Sequence, residues 1–145
     1  MQFRSIAALA VAVLFTTGAW AQTAPDLSGN DTHWIKDNGS NCWAANPDPS
    51  PGESISWTGP CENNLLSGMG TLTWYINGKP VGRDEGTFRN GELSGHGRLS
   101  FADGASYEGE FPGKGVLTLP SGQKIEAESI HEMAGWSIEQ SLPRR

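Results

Sequence analysis

Residues 84–101 read DEGTFRNGELSGHGRLSF, and the fold follows from how this stretch alternates. In its first part Asp84, Gly86 and Phe88 share one parity, and Glu85 and Thr87 the other. In its second part Gly95, Gly97, Leu99 and Phe101 alternate with His96, Arg98 and Ser100. A period of two is the signature of a strand with one buried face. Between the parts stands Arg89-Asn90-Gly91-Glu92, and Asn-Gly is among the strongest short signals for a tight hairpin turn. The stretch predicts two antiparallel strands joined by two residues.

The same pair of blocks recurs on either side. Asp84-Glu-Gly86-Thr-Phe88 aligns with Trp57-Thr-Gly59-Pro-Cys61 before it and Tyr107-Glu-Gly109-Glu-Phe111 after it. Gly95-His-Gly97-Arg-Leu99-Ser-Phe101 aligns with Gly68-Met-Gly70-Thr-Leu72-Thr-Trp74 and with Gly113-Lys-Gly115-Val-Leu117-Thr-Leu119. A turn glycine closes each unit, at Gly78, Gly104 and Gly122, and Ala102-Asp103-Gly104-Ala105 supplies an Asp-Gly turn. Gly59 to Gly86 spans 27 residues, Gly86 to Gly109 spans 23, and Gly97 to Gly115 only 18. The third unit is shortened, because Phe111 runs almost directly into Gly113. A fourth half-unit starts at Ile125, with Ala127 in the glycine slot. Degenerate terminal repeats are what capping of a repeat array requires.

Glycine weakens a strand interior, so its recurrence on the apolar face needs a cause. The cause we expect is space: a missing side chain leaves a slot for a ring from a neighbouring strand. The expected repeat core is Trp57, Gly59, Trp74, Gly86, Phe88, Phe101, Tyr107, Gly109 and Phe111.

These residues resemble the MORN (membrane occupation and recognition nexus) family, whose repeat runs roughly Y-x-G-x-[FW], then G-x-G-x-[ML], then G. Asp84 departs from that pattern where an aromatic is usual, and Cys61 stands in a phenylalanine position. The resemblance implies an all-β fold, an elongated single-layer antiparallel sheet of hairpin repeats. It also implies an interaction module or scaffold, and thus contact instead of chemistry.

Outside the repeats the chain reads differently. Arg4 precedes an apolar run from Ile6 to Phe15, which is too short to span a bilayer. Ala19-Trp20-Ala21 follows, the small-x-small pattern of a cleaved export signal. We therefore expect a signal peptide at 1–21 cut after Ala21, and a soluble periplasmic or secreted product. Residues 22–56 carry three prolines between Asn46 and Gly52 and are expected to form a polar arm and a stiff cap loop. Residues 57–130 hold the repeats, and 131–145 a closure and tail. The two cysteines, Cys42 and Cys61, both follow the signal, and an even count in an exported chain reads as one disulfide. Cys61 shares the parity of Phe88 and Phe111, so it is expected to point into the apolar face. The bridge would pin the cap to the first repeat.

The formal net charge of −6 becomes −7 once Arg4 is lost with the signal. An acidic chain without a basic cluster is a poor match for nucleic acid or for anionic lipid. No strong membrane binding is expected. No catalytic, cofactor or metal-binding residue is assigned. His33, His96 and His131 stand apart in sequence, with no partner indicated for proton transfer. The paired glycines precede β patterns, not the helix a phosphate loop must open. Glu85, Glu92, Glu108 and Glu110 read as solvent-facing strand residues. The expected function is a non-catalytic protein-interaction module of the bacterial envelope, with another envelope protein as partner. Two alternatives stay open: a glycan or peptidoglycan binder using Trp34, Trp43 or Trp136, and an inhibitor or immunity protein against an exported toxin.

Overall fold

The computed structural model describes residues 25, 27, 28 and 33–128. The expected signal, its cleavage point after Ala21, the expected closure at 131–145 and Trp136 lie outside the described residues. Eleven strands follow in chain order: β1 Trp34–Lys36, β2 Trp43–Ala45, β3 Glu53–Trp57, β4 Cys61–Glu62, β5 Leu65–Leu66, β6 Gly68–Ile76, β7 Lys79–Arg89, β8 Glu92–Phe101, β9 Ser106–Phe111, β10 Gly115–Thr118 and β11 Lys124–Ala127. Among the described residues there is no helix. The strands form two open sheets. The long one runs β11-β10-β9-β8-β7-β6-β3 and is antiparallel throughout. The short one runs β1-β2-β5-β4, with β2 and β5 parallel.

From β6 to β11 the long sheet is a meander whose turns have the expected chemistry, and β3 joins β6 across the intervening β4 and β5. Asn90 and Gly91 between β7 and β8 both take positive φ, 52° and 81°, as a two-residue primed turn demands. Register places equivalent repeat positions side by side. Trp57 pairs with Leu72, Asp84 with Leu99, and Tyr107 with Leu117. Ile125 then pairs with Leu117, as the first residue of a fourth half-unit.

The cap is not a loop. Residues 34–57 contain three strands, and β3 is an edge strand of the long sheet. Glu53-Ser-Ile-Ser-Trp57 itself alternates, which turns Ile55 inward to full burial. The free edge of β3 is tied by Asp37. Its Oδ1 accepts the Trp57 N–H at 3.0 Å and its Oδ2 accepts the Ser40 hydroxyl at 2.6 Å. The prolines do keep 46–52 out of the sheets. That segment is organised by Glu53, whose Oε2 accepts from Asn46 Nδ2 at 2.7 Å and from the Ser50 N–H at 3.1 Å.

Cys42 and Cys61 are joined by a disulfide. The orientation expected for Cys61 is corrected, because Cys61 is exposed and Cys42 is the buried partner. The cause is Gly59-Pro60. Proline has no N–H for the ladder, so the strand stops at Trp57 and resumes as β4. Its alternation is not carried across the break. The β4–β5 hairpin has the same register as the tip of β7–β8: Cys61 faces Leu66 as Phe88 faces Leu93. It pairs, however, into the short sheet.

Because of this departure the fold has a second layer at one end. Cys42, Ala44 and Leu66 from the short-sheet region pack with Ile55, Leu72 and Phe88 of the long sheet in one core cluster. A second cluster, Ala105, Tyr107 and Leu117, belongs to the long sheet alone, with Leu99, Phe111, Leu119 and Ile125 packed partly buried against it. The sheet is single-layered only there.

Candidate functional site

The inner face of the long sheet is organised in rows across the strands. One row consists of glycine: Gly70 pairs with Gly86, Gly86 with Gly97, Gly97 with Gly109, and Gly109 with Gly115, before Ala127 ends it. The slots above this row are filled from within. A Cβ on Gly70 would fall 2.5 Å from Cη2 of Trp57, and one on Gly115 would fall 2.5 Å from Cζ of Tyr107. Trp57 is held there by its indole N–H, which donates to the Pro60 carbonyl at 2.9 Å. The Tyr107 hydroxyl donates to the Gly113 carbonyl at 3.1 Å, and the ring is fully buried. Such slots are open only to glycine, since real side-chain carbons do not approach that closely.

The middle unit has Asp84 where its neighbours have rings, and Leu93 takes over the slot. Its methyls would lie 2.9 Å from a Cβ on Gly86 or on Gly97. Phe88 has no ring at the first position of its own unit, where Asp84 stands. It reaches Trp57 of the preceding one at 4.7 Å, edge to face, whereas Phe111 meets Tyr107 of its own unit at 5.5 Å. Leu93 and Phe88 thus repair the substitution locally. The role of Leu93 had no sequence signal, because it stands outside the repeat slots.

Asp84 itself lies in the row Trp57–Leu72–Asp84–Leu99–Tyr107–Leu117–Ile125, where every other member is apolar. Its Oδ2 accepts the Trp74 indole N–H at 2.9 Å. Burial pushes the carboxyl up to about 6, against the lowering effect of that hydrogen bond. In the adjoining row Trp74 pairs with Gly82 and Gly82 with Phe101. The equivalent of Gly82 is Ile55 in the first unit and Ala105 in the third, and both are buried. Phe101 was expected in the core but is 40% exposed. Its neighbour Gly82 offers no side chain to lie against, which is why the strand end stays open.

The other expected site residues fall as follows. Trp34 is half-buried, with its ring over Gly91, and Trp43 is half-buried in β2. Ala45 N–H donates to the Gly91 carbonyl and Gly91 N–H to the Leu66 carbonyl, so the short sheet also holds the β7–β8 turn. On the outer face His96 stands 3.3 Å from Glu108 and 3.5 Å from Glu110, all three exposed. Among the described residues no group of three or more His, Cys, Asp or Glu side chains could hold a metal ion. No helix among them is long and apolar enough to cross a membrane.

The MORN repeat model matches this chain at residues 62–79, 85–106 and 108–124. No curated protein matches it. Repeats of this kind are generally modules for contact with proteins or membranes, and are generally non-catalytic.

Proposed function

With the three MORN-repeat matches as premise, we propose that this chain is a non-catalytic protein-interaction module exported to the bacterial periplasm, with another envelope protein as its partner. The observation that carries the reading is the unequal cover of one face. Residues of the short-sheet region close over the inner face at β3, β6 and β7, whereas at β8–β11 Leu99, Phe111, Leu119 and Ile125 stay only partly buried and Phe101 is exposed. A contiguous apolar patch on a small protein is a mark of an interaction site. The disulfide favours an oxidising compartment and thus export. Acidity argues against docking on anionic lipid, so flotation with anionic liposomes at low salt should leave the protein behind.

The glycan alternative draws less support, since the Trp34 ring lies against Gly91 instead of standing free to stack on a sugar. Pull-down from envelope extract tests the main reading. The wild-type protein should retain one saturable protein partner, and Phe101→Glu should lose it. Retention on cell-wall sacculi alone would overturn the reading in favour of the glycan binder.

A further inference from the structure

The middle repeat breaks its own pattern twice within three residues, and both breaks fall on the inner face. Asp84 replaces a ring, and Gly82 replaces the Ile55 and Ala105 of the sister units. Leu93 closes the slots over Gly86 and Gly97, but among the described residues no side chain closes the one over Gly82. A Cβ added there would meet only the Ser100 carbonyl oxygen, at 3.6 Å, which is ordinary contact. The result is a notch one strand wide. Its floor is Gly82, its walls start from Trp74 and Phe101 on the flanking strands, and Asp84 stands at its end. With strands about 4.8 Å apart, the two walls rise from backbones about 10 Å apart.

The carboxylate in this notch has no cation. Trp74 donates to Oδ2, and no ion pair to Asp84 is found among the described residues. Among the described residues no fully buried side-chain oxygen lacks a partner, so Oδ1, which no described donor reaches, keeps some contact with the surface. The charged residues nearby are engaged elsewhere or face away. Arg83, Glu85 and Arg98 have the outward parity of the sheet. Inward on β6 stand Leu72 and Trp74, and on β8 Leu99 and Phe101. Asp103 accepts from the Ala105 N–H, and Glu53 is taken by Asn46 and Ser50. A carboxylate held in an apolar row without a counter-charge weakens the fold, and breaks of a local rule concentrate at functional sites.

We infer that the notch formed by Trp74, Gly82, Asp84 and Phe101 is a receptor for an arginine side chain presented by a protein partner. A guanidinium is planar, stacks on aromatic faces and donates in a fork to a carboxylate. Lysine lacks the plane and the fork. The charge is complementary, and the flanking uncovered face at β8–β11 supplies apolar contact around the anchor. The inference rests on the interaction-module reading and names the chemistry of its partner.

The test uses 15N-labelled protein and N-acetyl-argininamide as probe, with N-acetyl-leucinamide as control, and follows the Trp74 indole N–H resonance. At pH 7.5 the arginine probe should give a saturable shift and the leucine control none. At pH 4.5, where Asp84 is protonated, the shift should vanish. Asp84→Asn keeps an acceptor for Trp74 and should weaken binding at least tenfold. Gly82→Val fills the notch, keeps the carboxylate and should abolish the shift. An absent shift in wild type, or an equal one in either variant, overturns the inference. If a variant fails to fold, the wild-type comparison at the two pH values still decides. Loss of the notch with a pull-down partner that ignores Asp84→Asn would remove the arginine site and leave the module reading standing.

Discussion

Around β3, β6 and β7 the inner face is roofed by residues of a second sheet, whereas around β8–β11 it is filled by rings and chains from the same sheet. The roofed end needs a covalent tie, because β4 and β5 are two residues each and the cap strands β1 and β2 three each. Elements that short cannot hold themselves in water. The open end instead relies on Tyr107 lying over Gly115, locked by its hydroxyl. A thin sheet can thus be stabilised either by adding a layer or by sinking large rings into glycine slots. Asp84 and Gly82 mark the seam where neither device operates.

The largest test of this contrast is Tyr107→Ala, which empties the open end. A loss of about 3–5 kcal/mol is expected from urea unfolding, as for other fully buried large side chains. Phe111→Ala should cost less, because Phe111 is only partly buried. A loss under about 0.5 kcal/mol for Tyr107→Ala, typical of surface changes, would mean that the open end does not depend on this ring.

Next in size is the disulfide. Cys42→Ser, Cys61→Ser and the double variant should each lose about 3 kcal/mol, the chain-entropy value for a loop of about 20 residues. Hydrogen exchange should rise first in β1, β2, β4 and β5 and leave β9 and β10 protected. Uniform loosening of both ends would erase the distinction between them.

At the seam, titration of Asp84 gives a smaller effect with a definite sign. Its folded value of about 6 lies above the ordinary 3.8, so the folded chain binds the proton more tightly. This contribution to stability is full below about pH 4 and is lost as the pH rises through about 6. At about 1.4 kcal/mol per pH unit between the two values, the loss is at most about 3 kcal/mol. Asp84→Asn should therefore stabilise the protein by about 1–2 kcal/mol at pH 7.5 and change little at pH 4. Equal effects at both pH values would show that the carboxyl is not raised. Smallest is Tyr107→Phe, which removes the hydroxyl that donates to the Gly113 carbonyl and should cost about 1 kcal/mol.

The alternation of residues 84–101 and its two echoes determined the hairpins, their register and the glycine row, because period-two patterning and turn chemistry are local properties of the chain. The disulfide was legible from two cysteines in a chain with an export-like start. The Asp84 departure was visible too, as a carboxylate where an aromatic is usual. The remainder depended on contacts distant in sequence. Only the tertiary structure decided that Gly59-Pro60 would send β4 and β5 into a second sheet and turn Cys61 outward. Leu93, taking over the ring's slot, and Phe88, reaching Trp57 across units, likewise depend on strand neighbours. So does the gap over Gly82, since a missing side chain becomes a notch only when no other chain segment fills it.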